Sequence, residues 1–332
     1  MKSLKVIAVL AGLMAMLTLA GCGGEQKKAE VWPTETIKVI VPFGAGGSVD
    51  RMARGLTTYW SKELGVSMVV DNKAGAGGML GASEIAKAAP DGQTMFMGVQ
   101  PSLSFNIHLQ NAGFKLDDFV VLNVEQIDYA DVIVPADSPY KTFDDLHQAI
   151  MANPGKMSMG AVLGNGTGLL GVVLSDTLGW KVRTVTYNSG GGVRTAILGK
   201  QVDFAVSGAS SDLTAGDKVR VLAVASKKPV SFFPNAPTLD SLLTKYNKSI
   251  GREIGDSRFI ALPKAFVEKY PDRWKKLKET YEKTFNSQEY QNYLKTQKLD
   301  TISAMLGPDK SKEFMKEQHE LVNTYKHLLS GW

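Results

Sequence analysis

The chain has 332 residues, of which 44% are hydrophobic and 21% are charged, proportions typical of a folded protein with a large apolar core. The formal net charge of +5 falls to +3 when the first 21 residues, which contain Lys2 and Lys5 and no acid, are left out. This mild charge, without a dense stripe of Lys and Arg, excludes a nucleic-acid binder. A single cysteine excludes a disulfide framework and a thiolate metal cage.

The N-terminal segment has the organisation of an export signal. Lys2 and Lys5 precede an apolar run at residues 6–19, which is shorter than the roughly 20 residues that span a membrane. The run ends in Leu-Ala-Gly before Cys22, an arrangement that resembles a bacterial lipobox. We therefore expect a lipoprotein signal peptide at residues 1–21 and a lipid on Cys22. The alternative is an ordinary secretory signal followed by an incidental cysteine.

The segment after the signal peptide is polar. Residues 22–31 have no hydrophobic pattern and are predicted to form a flexible tether. From Val31 onward no apolar stretch approaches the length that spans a membrane. We therefore expect an extracytoplasmic protein, held at the surface of the bacterial membrane by a lipid anchor on Cys22.

The folded part begins with repeated units of strand, glycine-rich loop and helix. In chain order the sequence predicts a strand at 37–42, a loop at 43–47, a helix at 48–64, a strand at 67–71, a loop at 75–78, a helix at 80–89 and a strand at 94–98. Because strands and helices alternate, a mostly parallel sheet is expected.

A second series of the same kind follows. It comprises strands at 129–135, 156–161, 182–187, 202–206 and 219–225, helices ending near 153 and at 169–178 and 193–198, and helices beyond 263. One α/β unit is thus nested inside another, which predicts a discontinuous domain 1 at 32–128 and 232–332 and a domain 2 at 129–231. The predicted fold class is α/β, with two Rossmann-like domains and a central ligand cleft at the carboxyl ends of both sheets.

Three glycine-rich loops, at 43–50, 163–168 and 187–192, each follow a strand and precede a helix. Unpaired N–H groups at a helix N-terminus attract anions, and glycine lets a ligand approach the backbone. The first two loops contain no cation, and the third has none before Arg194. An anionic ligand is therefore expected to be held by backbone dipoles, water and three hydroxyl groups, those of Ser48, Thr167 and Ser189. The alternative is that these loops are plain turns with nothing bound.

Asp50 lies in the first turn of the helix predicted at 48–64, where a carboxylate interacts favourably with the helix dipole. Two roles stay open for it. Asp50 either serves only this structural purpose, or it lines the cleft and there orders water or receives an ammonium group of the ligand.

Other motifs in the sequence lack essential parts. Residues 166–171 match G-x-G-x-x-G, but the next strand ends at Tyr187 and Asn188, where an NAD site requires an acid. His319 and Glu320 resemble the start of a zinc-protease helix, but Asn323 stands where the second histidine is required. The chain has no nucleophile elbow and no P-loop. We therefore expect no catalytic residue, no metal and no cofactor.

Several stretches together resemble a known family. They are residues 37–50, 69–78, 88–94, 164–167, 186–191, 198–203 and 221–226. Their sequences and order resemble those of the extracytoplasmic solute-binding proteins of tripartite tricarboxylate transporters, also called the Bug family. The resemblance implies a Venus-flytrap, type II periplasmic binding protein-like fold with two crossover strands. It also implies a carboxylate ligand and, as partners, the membrane permease subunits of such a transporter.

The resemblance also supplies a candidate ligand site. By position, one wall comprises Phe43, Gly46, Gly47 and Asp50, and the other comprises Gly166, Thr167, Tyr187 and Ser189. Ser48, from the first loop, and Ser207 are predicted ligand-binding residues as well. Two stretches depart from the family pattern. Leu169 and Leu170 occupy positions where a histidine is common, and Asn188 and Ser189 alter the third loop.

The sequence thus predicts a lipid-anchored, monomeric receptor that closes on an organic carboxylate and delivers it to a permease. The ligand stays open among dicarboxylates, tricarboxylates, amino acids and aromatic acids. Two alternatives remain at this point, a carboxylate sensor for signalling and an exported enzyme built on the same fold.

Overall fold

A computed structural model describes residues 31–329. The predicted signal peptide at 1–21, the predicted lipidation site Cys22 and residues 22–30 of the predicted tether lie outside the described residues. The chain divides into the units Met1–Thr34 and Glu35–Trp332, and all strands and helices below belong to the second unit. Within residues 31–329 no helix combines the length and the apolar character needed to cross a membrane.

Ten strands form two sheets within residues 35–329. They are β1 (Ile37–Val41), β2 (Met68–Asn72), β3 (Thr94–Gln100), β4 (Phe119–Ile127), β5 (Ala130–Pro135), β6 (Ser158–Val162), β7 (Arg183–Tyr187), β8 (Phe204–Gly208), β9 (Val219–Val224) and β10 (Ser257–Pro263).

The helices surround these sheets. They are α1 (Ser48–Leu64), α2 (Met79–Ala86), α3 (Ser102–Leu109), α4 (Phe143–Ala152), α5 (Gly166–Leu178), α6 (Gly190–Leu198), α7 (Ala209–Asp212), α8 (Leu239–Leu243), α9 (Lys264–Lys269), α10 (Pro271–Phe285), α11 (Gln288–Thr296) and α12 (Gly307–Tyr325).

The two sheets share one pattern. Sheet A has the order β2-β1-β3-β10-β4, and sheet B has the order β7-β6-β8-β5-β9. In each sheet a single strand, β10 in sheet A and β5 in sheet B, runs antiparallel to both of its neighbours. The predicted class of two α/β domains is confirmed, and the prediction of a mostly parallel sheet holds apart from these reversed strands.

Two strands, β4 and β10, were not predicted from the sequence. Their buried polar residues interrupt the apolar pattern that identifies a strand. Glu125 of β4 accepts hydrogen bonds from the hydroxyl groups of Tyr281 and Tyr290, which belong to helices α10 and α11. Burial raises the pKa of Glu125 to about 7, although these hydrogen bonds oppose the rise. Buried hydrogen bonds, as well as apolar contacts, thus hold helices α10 and α11 against sheet A.

The connections between the sheets run side by side. Strand β4 leads into β5 through residues 128–129, and the segment after β9 returns to β10. The two segments are joined by backbone hydrogen bonds, from Asp128 N to Asp256 O at 2.9 Å and from Ala130 N to Ile254 O at 2.8 Å. We call residues 128–130 and 254–256 the crossover. The domain boundaries at 128/129 and 231/232 stay predictions.

Candidate functional site

A cavity of about 910 Å³ lies at the carboxyl ends of the parallel strands of both sheets. We call the side near sheet A the first wall, formed by residues 43–51 and 74–78. The second wall is formed by residues of sheet B and its loops, at 162–167, 186–194 and 206–211. Loops at this end of an α/β sheet are the usual position for ligands. The loop at 75–78, predicted only as a connection, is therefore also part of the site.

The first wall is shaped by a carboxylate behind it. Asp50 accepts hydrogen bonds from Gly46 N at 2.8 Å, Arg54 Nε at 3.1 Å and Asn72 Nδ2 at 3.0 Å. Burial acts to raise the pKa of Asp50, but the hydrogen bonds from Arg54, Gly46 and Asn72 outweigh it and leave that pKa lowered. Asp50 is 2% exposed and is not among the residues that line the cavity. The hydrogen bonds that Asp50 accepts thus stabilise the conformation of the first glycine-rich loop.

In the second wall, the glycines predicted to precede helix α5 form its first turn. Asn165 caps this helix, since its Oδ1 accepts hydrogen bonds from Gly168 N at 3.1 Å and Thr167 Oγ1 at 2.8 Å. Gly166 N donates to Asp256 Oδ1 at 2.8 Å. A Cβ at Gly166 would overlap the carbonyl oxygen of Gly255, so a close approach to the crossover requires glycine here.

This contact argues against a dinucleotide in the G-x-G-x-x-G segment. The pyrophosphate of a bound dinucleotide occupies the N-terminus of the helix that the motif opens. Here the carboxylate of Asp256 already accepts the hydrogen bond of Gly166 N, and a second anion would be repelled by it.

The third loop also caps a helix. Ser189 Oγ accepts a hydrogen bond from Gly192 N at 3.2 Å, and helix α6 begins at Gly190, three residues earlier than the prediction of 193. Tyr187 is the last residue of β7 and lines the cavity. Ser207 of β8 also lines it, is 1% exposed, and its Oγ has no hydrogen-bond partner among the described residues.

The structure brings most of the predicted site together. The residues that line the cavity are Phe43, Gly46, Gly47, Ser48, Thr167, Tyr187, Ser189 and Ser207, whereas Asp50 and Gly166 are not among the lining residues. Their assignment to ligand binding stays a prediction.

The cavity contains charged side chains that were not predicted from the sequence. Arg51, Arg194 and Arg258 line it, together with the carboxylates of Asp128 and Asp256. The loops themselves are poor in cations, as the sequence indicated. Arg51, however, follows the first loop by one residue, and Arg258 arrives on the unpredicted strand β10. The expectation that an anion would meet only dipoles, hydroxyl groups and water was therefore incomplete.

Two buried carboxyl groups lie behind the second wall. Asp131 of β5 and Asp212 of α7 are 0% and 1% exposed, and none of their carboxyl oxygens has a hydrogen-bond partner among the described residues. Burial raises the pKa of Asp131 well above its ordinary value, and the neighbouring charge of Asp212 adds to this rise. Arg194 Nη1 lies 3.6 Å from Asp212 Oδ1, which connects this pair to the cavity.

His319, which resembles part of a zinc-protease motif in the sequence, makes contacts typical of a structural residue. His319 Nδ1 lies 2.9 Å from Ser104 Oγ, and its ring stacks on that of His108 with 4.2 Å between centroids. In the part of the chain that the structure describes, no group of three or more His, Cys, Asp or Glu side chains could hold a metal ion.

Two α/β domains, paired crossover segments and a cavity at the ends of both sheets define a solute-binding protein of the periplasmic type. The chain belongs to the tripartite tricarboxylate transporter receptor family, because the family profile matches residues 52–328. The resemblance to the Bug family drawn from the sequence is thereby confirmed.

Individual proteins agree with this assignment. A UPF0065 protein encoded in the TAR-I ttuE-ttuC' intergenic region of Agrobacterium vitis is 31% identical over 216 residues, which are 63% of this chain and 62% of that protein. The periplasmic binding protein BugD superposes with a TM-score of 0.76 at 25% identity, covering 90% of this chain and 98% of BugD. MatC of Rhodopseudomonas palustris, solved with bound malate, has the same fold, with a TM-score of 0.73, 20% identity and coverage of 90% and 99%.

Proposed function

We propose that this chain is an extracytoplasmic receptor that captures an organic carboxylate in the cavity and presents it to the permease subunits of a tripartite tricarboxylate-type transporter. The observation that carries this proposal is the composition of the cavity, in which arginine side chains from both walls and the N-terminal ends of helices α1 and α6 surround one space. Such donors bind carboxylates and phosphates, and the tricarboxylate transporter receptor family favours a carboxylate.

The donors suffice for useful affinity. A hydrogen bond to a charged group contributes about 1.5 to 3 kcal/mol. Four or five such bonds cover the roughly 8 kcal/mol that a micromolar complex requires. The walls offer more groups than this, among them the hydroxyl groups of Ser48, Ser189 and Ser207.

Closure of the two walls on the solute is the second part of the proposal. A solute that contacts both walls binds the closed form more tightly than the open form, and this difference shifts the population towards closure. The malate complex of MatC supports the idea that a cavity of this fold accommodates a dicarboxylate.

We infer binding without turnover. Among the described residues that line the cavity there is no His, Cys or Lys, so its serine hydroxyl groups have no imidazole or amine beside them that could activate them as nucleophiles. Family members act as receptors, which supports the same conclusion.

Attachment to the membrane through Cys22 belongs to the proposal as well. Growth with a radiolabelled fatty acid should label the wild-type chain and leave Cys22→Ser unlabelled. If Cys22→Ser is labelled to the same extent as wild type, the lipoprotein assignment is wrong.

The central experiment is thermal unfolding of the purified protein against a panel of mono-, di- and tricarboxylates, acidic amino acids, aromatic acids, sugars and NAD. A ligand at 100 times its Kd stabilises the protein by about 2.7 kcal/mol. Stabilisation by one class of carboxylate supports the receptor proposal. Stabilisation by sugars or NAD alone contradicts it. Conversion of the stabilising compound, followed by NMR, would identify an enzyme instead.

A further inference from the structure

Three arginines from separate elements meet in the cavity. Arg51 comes from α1, which packs on sheet A, Arg194 comes from α6, which packs on sheet B, and Arg258 comes from the reversed strand β10. Like charges that share a partly enclosed space repel one another, and the carboxylates of Asp128 and Asp256, which also line the cavity, number two against three guanidinium groups. An anion placed among them removes that repulsion.

Arg51 is the least compensated of the three. Its Nη1 donates to Gly46 O at 2.6 Å, which turns the side chain towards the first loop. Within residues 31–329, no carboxylate oxygen lies within 4.0 Å of its guanidinium nitrogens. Partial desolvation lowers the pKa of Arg51, although the residue is exposed, and the charges of Arg258 and Arg194 lower it further. Four of its five N–H donors therefore have no partner in the described part of the chain.

The other two arginines are held in place but keep free donors. Arg258 donates from Nη1 to Gln126 Oε1 at 3.0 Å, and from Nη2 to Asp128 Oδ2 at 3.4 Å. Arg258 is 3% exposed, and its Nε has no partner among the described residues. Arg194 is oriented by the 3.6 Å ion pair with Asp212. A buried donor without a partner destabilises the protein until a ligand accepts its hydrogen bond.

We propose that Arg51, Arg194 and Arg258 bind the anionic groups of the solute, and that they select a solute with two such groups over one with a single group. This inference rests on the proposed function and names the residues responsible for specificity. Arg51 belongs to the first wall and Arg194 to the second, so a dianion that bridges them links the walls. A monoanion satisfies one wall and leaves the other guanidinium uncompensated.

The test compares matched pairs of probes with the full chain purified in mild detergent. Adipate and hexanoate have equal carbon numbers but differ by one carboxylate, as do malate and 3-hydroxybutyrate. Calorimetric titration at neutral pH gives the affinity ratio of each pair. For the wild type we expect the dianion of at least one pair to bind ten-fold or more tightly than its monoanion.

The variants are Arg51→Gln and Arg194→Gln, each alone. Each should weaken binding of the dianion by about 10- to 100-fold, the loss expected for charge-assisted hydrogen bonds, and should lower the affinity ratio. Arg51→Lys keeps the charge without the planar fork of donors and should recover part of the loss. Arg183→Gln is the matched control, because Arg183 is exposed on β7 and does not line the cavity.

The outcomes separate this inference from the function on which it rests. If the wild type binds a dianion and both glutamine variants bind it equally well, the arginine assignment is wrong while the receptor function stands. The same conclusion follows if the affinity ratio is unchanged in both variants. If the wild type binds no carboxylate of the panel, the proposed function fails and the inference fails with it. Unliganded melting curves of the variants show whether each is folded.

Discussion

The two walls of the cavity are built on the same strand pattern, yet they are held in place differently. In the first wall, Asp50 receives its hydrogen bonds from residues of the same wall and its neighbouring strand. In the second wall, Gly166 donates to Asp256, and Ser210 donates to Asp128, so both contacts reach into the crossover. The first wall is therefore self-contained, whereas the position of the second depends on the segments between the sheets.

The largest effect is expected in sheet A, which carries the first wall, at Glu125 of β4. Its folded-state pKa of about 7 lies above the ordinary value of 4.5, so folding favours the protonated carboxyl group. The resulting stabilisation is fully present below pH 4.5 and is lost as the pH rises through about 7. The shift corresponds to about 3 kcal/mol.

Glu125→Gln keeps a neutral group at all pH values and isolates this effect. The difference in free energy of unfolding between wild type and Glu125→Gln should change by about 3 kcal/mol between pH 4.5 and pH 8, measured by urea unfolding. A difference that does not vary with pH would show that Glu125 stays ionised in the folded protein. Because neither Glu125 nor its tyrosine partners line the cavity, affinity for the solute should change little.

Gly166→Ala should displace the second wall of the cavity. The added methyl group overlaps the carbonyl oxygen of Gly255, so helix α5 must move away from the crossover. Overpacking of this kind costs about 1 to 3 kcal/mol, and solute affinity should fall as well because the wall is displaced. Thermal unfolding and calorimetric titration measure the two losses. Gly44→Ala is the control for stability, since a Cβ there meets no atom within 4 Å.

Asp50→Ala tests whether the first wall is self-contained. Removal of the carboxylate leaves Gly46 N, Arg54 and Asn72 without their acceptor, which should lower stability by about 2 kcal/mol and weaken binding through the loosened loop. Asp272→Ala is the control, because Asp272 is an exposed acid in the first turn of α10. Unchanged stability with lost binding would instead indicate a direct contact between Asp50 and the solute.

Thr167→Val should have the smallest effect. The valine keeps the shape but loses the hydroxyl group that donates to Asn165 Oδ1 at 2.8 Å and lines the cavity. Affinity should fall by about 1 kcal/mol, or roughly five-fold, in the titration. Thr195→Val, an exposed position on α6, should bind like wild type. Equal affinities for both variants would remove Thr167 from the site.

Local signals explain which parts of the fold the sequence predicts. Helix α1 was predicted at its observed bounds, because its apolar positions recur at helical spacing and Gly65 ends it with a φ of 76°. Strand β4 escaped prediction because Asn123, Glu125 and Gln126 are polar, although all three are buried. Their partners come from helices and a strand far along the chain, and a local pattern contains no information about them.

The candidate site also has one part that the sequence predicts and another part that it does not. Glycine-rich loops that follow strands can be recognised in the sequence, and for this reason Phe43, Thr167 and Ser189 were predicted as site residues. Arg258 could not be found, because its place in the cavity depends on the insertion of β10 between β3 and β4. Arg51 is different, because it lies one helical position beyond the first loop and the first turn of the predicted helix already contains this cation.

The central position of β10 also sets the order in which the protein can be completed. During synthesis, β3 and β4 leave the ribosome early and cannot become neighbours of β10 until residue 263 has been made. Every strand of sheet B lies before that point, so its pairing partners are all available sooner. The first sheet to begin is therefore the last to close, and until then its two unpaired inner edges are open to other chains. A nascent chain of this topology stays incompletely folded until most of it has been translated.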